Sequence, residues 1–373
     1  MRVALLVRRF DLKGGIGKSA VELARGLRKR GHRVRVFAQK SDPEISAELG
    51  SDFERLAGPG FDPTLSMLWF ARSAERVVER LRREGSVDVT VGLDHSTLQD
   101  VFRLGGGVHA EYLEATADIK TRSGGFMLDR IASSLERTRL AAGRFRALVA
   151  VSRKGRDDLL RHYPHLDPAA VSTIRNGVDL SRYSPDAQPG ERAALRAQWG
   201  VGPLEPVALL VGQNPLMKGL DLAAEATRRA GLRLVYVGGG PVRPKWVPSQ
   251  VVWAGTQAHV GASYRSADVL IAPSRYENFG NAVLEAAACG LPSVAPRWFG
   301  SSEILAECGA GELLVDDPRD IDGLAGQLTR AVDRDDRPKW AAAALAAARS
   351  GLASPERWLN EMEAVLTEAA NQG

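Results

Sequence analysis

Short apolar runs alternate along this chain with stretches whose apolar residues recur at helical spacing. Met1–Val7 is rich in branched residues, as a strand buried on both faces requires. Ala20–Arg30 places Val21, Leu23, Ala24 and Leu27 on one helical face and ends in basic residues before Gly31. Arg33–Phe37 is again strand-like, so the first segment reads as a βαβ unit. Val87–Val91 and Ala147–Val151 read as later strands of the same sheet, with a helix over Met67–Glu84. A second series begins near Ser172. It has strands at Pro206–Val211, Leu232–Val237, Val251–Trp253, Val269–Ala272, Pro292–Ala295 and Gly311–Val315, and helices at Leu220–Ala230 and Asn281–Cys289. The pattern predicts two doubly wound α/β domains: residues 1–168, and residues 169–354 after a Gly- and Pro-bearing linker within Asn176–Pro189. A last helix from about Pro355 is expected to return to the first domain. Open parallel sheets bind ligands at the carboxyl ends of their strands, so a cleft between the two sheets is the expected site.

Composition narrows the class. A length of 373 residues with 44% hydrophobic and 25% charged residues fits two soluble globular domains. Cys289 and Cys308 cannot form a disulfide framework, which fits a reducing, cytoplasmic compartment. Val3–Val7 is too short for a signal or a span, and no later run reaches membrane-spanning length. The net charge of +5 is unevenly placed: residues 1–150 carry +7 and residues 151–373 carry −2. The proposed first domain is therefore the basic half.

The loop Lys13-Gly14-Gly15-Ile16-Gly17-Lys18-Ser19 follows the first strand and opens a helix. It resembles the phosphate-binding loop of ParA/MinD-type ATPases, in which glycine amides, Lys18 and Ser19 would hold phosphate and magnesium. Against this, Leu12 breaks the general pattern and no later strand offers a metal-binding Asp. The loop reads equally as a glycine turn that lets a ligand approach the backbone, or as a bland strand-to-helix connection.

The string Pro273-Ser274-Arg275-Tyr276-Glu277-Asn278-Phe279-Gly280-Asn281-Ala282-Val283-Leu284-Glu285-Ala286 is more specific. It leaves an apolar strand and enters a helix, with two carboxylates eight residues apart. These could reach different hydroxyls of one elongated ligand, with helix-terminal amides between them for a diphosphate. The string resembles the E-x7-E signature of family-four retaining glycosyltransferases of the GT-B fold, two Rossmann-like domains facing across a cleft. Val149–Ser152, Ile174–Asp179, Val211-Gly212, Lys218-Gly219, Gly238–Gly240 and Gly290–Pro292 carry the same resemblance over nearly the whole chain. Within the family the spacing is most similar to lipopolysaccharide-core glucosyltransferases.

The resemblance implies transfer of a hexose from a nucleoside diphosphate sugar, expected to be a UDP-sugar. The acceptor would be a saccharide or a lipid-linked saccharide such as lipopolysaccharide core. Glu285 would hold the ribose and Glu277 the donor sugar. Lys218 and the Asn278, Phe279, Gly280 and Asn281 backbone would hold the diphosphate. Gly14 and Gly15 would approach it from the other domain. His109 is implied either beside the reacting sugar or in a structural role. Asp94, His95 and Asp100 are assigned to the acceptor, Asp100 equally to a helix cap. Glu277, His109 and Lys218 form the catalytic set. Where many relatives carry arginines, this chain has Gln213 and Met217, with Arg243, Lys245, Arg275 and Arg297 as replacements to be tested.

No cofactor or metal is implied, since cations and helix ends replace it, and no His or Asp spacing suits a metal. The segment 118–146 interleaves basic and apolar residues, which suits either peripheral contact with an anionic membrane at its cytoplasmic face or packing on the sheet. Nucleic-acid binding finds no support. Two other readings stay open: the ParA/MinD-like ATPase, and a degenerate GT-B protein that only binds glycan.

Overall fold

The structure, a computed structural model, describes residues 1–12, 14–59, 62–119, 125–257 and 259–372. It divides into two compact units, Met1–Ile174 with Trp358–Gly373, and Arg175–Arg357.

In the first unit the strands are β1 (Arg2–Phe10), β2 (Arg33–Ser41), β3 (Phe53–Arg55), β4 (Val89–Gly92), β5 (Val101–Leu104), β6 (Ala147–Ala150) and β7 (Val171–Thr173). They form one sheet in the order β3-β2-β1-β4-β5-β6-β7, with every described pairing parallel. The helices are α1 (Gly15–Lys29), α2 (Pro43–Ala47), α3 (Pro63–Arg83), α4 (His109–Ala115), α5 (Gly125–Arg139) and α6 (Arg153–His162). Alternation along β1 sorts its side chains onto two cores. Val3, Leu5 and Val7 meet Leu23 and Leu27 of α1, whereas Ala4 and Leu6 meet Phe70, Val78 and Leu81 of α3.

The second unit holds β8 (Val207–Gly212), β9 (Arg233–Gly238), β10 (Val252–Gly255), β11 (Val269–Ile271) and β12 (Ser293–Val294), in the order β10-β9-β8-β11-β12. Its helices are α7 (Glu191–Gln198), α8 (Leu220–Ala230), α9 (Gly261–Ser266), α10 (Asn281–Ala288), α11 (Gly300–Glu307), α12 (Ile321–Val332) and α13 (Arg337–Arg349). The last helix, α14, runs Pro355–Asn371, and its Trp358, Leu359, Met362, Leu366 and Ala369 lie in the core of the first unit. Glu363 of α14 ion-pairs there with Arg30 and lies within hydrogen-bond distance, 2.6 Å, of His32 Nε2.

Several expectations shift. Helix α1 starts at Gly15 rather than Ala20, which leaves little of the glycine loop as loop. The strand near Ser172 is β7, which pairs with β6 and so closes the first sheet instead of opening the second. Strand β5 escapes the apolar pattern because Arg103 interrupts it, although Arg103 is only 1% exposed. Gly311–Val315 makes one bridge, Pro296 to Val315, and no strand.

Each sheet reverses its strand order once, between β1 and β4 in the first unit and between β8 and β11 in the second. The loops beside these two points are where open α/β sheets take ligands.

Candidate functional site

In the second unit the carboxyl ends of β8 and β9 lie so close that only glycine fits. A Cβ on Gly238, at φ 132°, would overlap the Gly212 carbonyl. Two aromatic side chains fix this approach. The Tyr236 hydroxyl donates to the Gly212 carbonyl at 2.6 Å, and Trp253 Nε1 donates to the Gly240 carbonyl at 3.1 Å. Their rings pack with centroids 4.7 Å apart. The stem of Lys218 then lies across Gly212, where an added Cβ would come within 2.5 Å of Lys218 Cγ.

The Lys218 ammonium ion-pairs with Glu277 Oε2 across the β8/β11 reversal. Glu277 Oε1 accepts from the Asn278 amide at 3.2 Å. Burial pushes the Glu277 carboxyl up, but the Lys218 charge and hydrogen bonds from Lys218, Asn278 and Gly280 outweigh it. The carboxyl is held below its usual range.

Gly280 caps α10 at φ 78°, and Phe299 fills the space a Cβ would need, 2.5 Å from its Cδ2. Asn281 Oδ1 accepts from Asn176 Nδ2 at 2.9 Å. The Asn278 and Phe279 side chains are buried, and their carbonyls accept from Gly300 and Ser301 at 3.4 and 2.9 Å, so these two residues join the loop to α11. Glu285, about one turn along α10, accepts from the Tyr264 hydroxyl at 3.0 Å. Burial and the Glu285 charge keep that hydroxyl protonated.

Glu277, Lys218 and Gly280 are therefore brought together, and Glu285 stands about one turn further along α10. Most of the suggested replacement cations are not. Arg275 forks onto Asp221 at 2.7 and 2.8 Å. Arg243 donates to the Val247 and Pro248 carbonyls, and Arg297 pairs with Asp316 at 3.2 Å. Lys245 is exposed on the loop after Gly240.

In the first unit, Gly14 caps α1 at φ −140° with nothing within 4 Å of an added Cβ, so the fold does not demand glycine there. Gly15 is exposed in the first turn. The glycine the fold demands is Gly17, whose Cβ would lie 2.6 Å from the Asp11 carbonyl. The Lys18 amide donates to the Gly14 carbonyl at 2.9 Å, inside the helix, which removes one amide an ATPase loop would aim at phosphate. Lys13 lies outside the described residues.

Asp94 and His95 follow β4, with His95 Nε2 3.2 Å from Asp94 Oδ1. Arg139 donates to the Asp94 carbonyl at 2.9 Å and lies over the Phe102 ring. Burial pushes the His95 imidazole down to about 4. Asp94 opposes that, while the positive charges of Arg139 and Arg8 reinforce it. The His109 amide donates to Glu136 at 2.8 Å, its Nε2 is 3.6 Å from Asp129, and its ring stacks on Tyr112. Burial lowers the His109 imidazole as well.

Asp100 is not part of this group. It precedes β5, at the amino-terminal edge of the sheet, where it accepts from the Thr90 amide and hydroxyl at 2.8 and 2.6 Å and pairs with Arg82 at 2.8 Å. It caps neither a helix nor a ligand site; it ties β4 to β5.

In the segment 118–146, residues 120–124 lie outside the described residues. Arg139, Arg144 and Arg146 are engaged within the unit, with Asp94, Glu75 and Asp100. Met127, Arg130 and Arg137 face outward. Among the described residues no helix is long and apolar enough to cross a membrane. Glu111, Glu114 and His162 come within 4.8 Å, but Lys154 and Arg161 pair with Glu111 there, so the cluster is an ion-pair network tying α4 to α6.

Sequence reasoning missed Tyr236, Trp253 and Tyr264, which act through other residues' carbonyls and carboxylates. It also assigned no role to Arg8.

The chain matches two family models: "Glycosyltransferase Family 4" over residues 13–182 and "Glycosyl transferases group 1" over residues 205–334. It is 30% identical to the alpha-maltose-1-phosphate synthase of Mycobacterium tuberculosis, over 89% of each chain. Among solved structures it is similar to WaaG, a glycosyltransferase involved in lipopolysaccharide biosynthesis, with a TM-score of 0.78 at 22% identity over 98% of this chain and 99% of that one. It is also similar to Anabaena HepE in complex with UDP and glucose, at TM-score 0.74 and 18% identity over 99% and 100%.

Proposed function

Since the chain belongs to the family-four glycosyltransferases of the GT-B fold, we propose that it moves a hexose from a nucleoside diphosphate sugar, a UDP-sugar by preference, to a saccharide acceptor, free or lipid-linked as in lipopolysaccharide core. The observation that carries this reading is the pairing of Lys218 with Glu277 at the amino end of α10, with Glu285 about one turn along the same helix. A ribose diol suits Glu285, which Tyr264 holds in place. The diphosphate suits Lys218 together with the positive end of α10. Glu277 then serves the sugar hydroxyls.

The pair Lys218–Glu277 is self-neutralised without ligand, and a diphosphate carries enough charge to draw Lys218 toward itself. As the bond from the sugar C1 to phosphate oxygen breaks, Lys218 and the helix end stabilise the leaving diphosphate. The acceptor oxygen bonds to C1 on the same face, and its proton passes to the departing phosphate oxygen, so configuration is retained. No metal takes part in this scheme, and His109 would serve beside the reacting sugar. Contact with an anionic membrane would use the outward Met127, Arg130 and Arg137 of α5.

A panel of nucleotide sugars, read by melting temperature and by donor hydrolysis, tests the reading. Glu285→Ala is expected to raise the donor KM by about 10–100-fold with the fold intact. Unchanged donor affinity would remove Glu285 from the site. Binding of saccharide without turnover of any donor would favour the glycan-binding reading.

A further inference from the structure

Arg8 stands near the carboxyl end of β1, beside the point where the first sheet reverses. The chain after β4 runs alongside, since the Leu93 amide donates to the Leu6 carbonyl at 3.1 Å and Asp94 and His95 follow directly. Arg8 is half-buried, and its Nε is buried with no hydrogen-bond partner among the described residues. Other half-buried arginines of this unit meet a counter-group: Arg30 with Glu363, Arg80 with Glu54, Arg144 with Glu75, Arg146 with Asp100. Asp11, three residues on, and Asp94, just past the end of β4, each meet another group. Asp11 pairs with Arg9 at 2.7 Å, and Asp94 faces His95. A cation withdrawn from water without a counter-charge is costly to the fold, which argues for a partner that arrives with the ligand.

The neighbours carry both signs: the Asp94 carboxylate lies 3.2 Å from His95, and buried Arg139 donates to the Asp94 carbonyl. His95 stays uncharged near neutrality, so it adds a hydrogen bond without adding or removing charge. Arg139 contributes a second positive charge close to His95. A planar guanidinium in this setting matches the paired oxygens of phosphate.

We infer that Arg8, with His95 beside it, binds a phosphate group carried by the acceptor. The assignment deepens the transferase reading and rests on it: the acceptor is a phosphorylated saccharide or a phosphate-bearing lipid saccharide, and Arg8 selects it against neutral sugars.

The test uses the full chain with UDP at saturation, which fills the phosphate site of the second unit. Inorganic phosphate is then titrated against chloride of equal ionic strength. The wild type is expected to melt about 2–4 °C higher in phosphate, Arg8→Gln to lose that increment, and Arg8→Lys to keep part of it. Arg9→Gln should keep all of it, because Arg9 is paired with Asp11 on the other face of the strand. Unliganded Arg8→Gln should melt no lower than wild type, since it sheds an uncompensated charge. Sedimentation with phosphatidylglycerol vesicles separates the sources. Pelleting that Arg8→Gln abolishes assigns the phosphate to a lipid, and pelleting indifferent to residue 8 assigns it to a soluble acceptor. A phosphate increment equal in wild type and Arg8→Gln marks an adventitious ion only and overturns the assignment, as does no increment at all. If UDP itself leaves the melting temperature unmoved, it is the transferase reading that fails.

Discussion

The two strand-order reversals are built on the same plan and charged in opposite ways. At β8/β11 the cation Lys218 is matched by Glu277, and the glycines around it are required by close backbone contact. At β1/β4 Arg8 has no carboxylate among the described residues, and Gly14 stands in open space. The first arrangement is stable without ligand and must exchange one charge partner for another when a diphosphate arrives. The second holds a guanidinium, Arg8, whose buried Nε meets no partner among the described residues. A parallel sheet fixes where a ligand goes. Whether the site waits neutral or charged is decided by two or three side chains.

The largest expected effect breaks the matched site. Lys218→Ala should lower kcat/KM by roughly 10²–10³-fold, because the proposed reaction relies on Lys218 as the main side-chain cation for the leaving diphosphate. It also strands Glu277, so Glu277→Gln in the same chain should recover melting temperature but not turnover. Recovery of both would mean that the pair serves the fold rather than the reaction.

The glycines give a second contrast. Gly280→Ala forces an L side chain to φ 78° and into Phe299, and should cost about 2–4 kcal/mol of stability by urea unfolding. Gly14→Ala should cost less than about 1 kcal/mol, since its backbone is extended and its surroundings are open. If Gly14→Ala nevertheless weakens donor binding, ligand approach is the reason that residue is glycine. If it changes neither stability nor binding, the loop is only a connection.

Much of this was legible in the chain. The βαβ rhythm follows from side-chain periodicity, and the E-x7-E string places two carboxylates on one strand–loop–helix element whatever the rest of the fold does. What escaped depends on contacts between distant segments. Strand β5 was hidden because a charge on a central strand contradicts the apolar pattern, and only the fold supplies Arg103 with the Trp358 ring of α14, 5.8 Å away. The replacement cations could not be sorted by sequence, because Arg275 is consumed by Asp221, far from it in the chain. Asp100 matched in spacing yet lies at the wrong end of its strand, a distinction that spacing near a strand start does not make. Arg8 and Arg9 are adjacent letters with opposite surroundings, since a strand turns successive side chains to opposite faces.

The smallest effect probes the charge state of the unmatched site. His95 binds its proton only near pH 4 in the folded chain, against about 6.5 when unfolded. Between those values the unfolded chain holds more protons, so stability falls as pH drops through the window and is fully regained above it. His95→Gln removes that proton, and its stability should decline less steeply from pH 6.5 to pH 4, by up to about 1.4 kcal/mol for each pH unit. His109, lowered by burial too, keeps its own share of the slope in the variant. Urea midpoints at pH 7 and pH 5 measure the difference. Identical slopes in wild type and His95→Gln would mean that His95 binds its proton equally well in the folded and unfolded chain, at about pH 6.5. The site would then gain one more positive charge only below that pH.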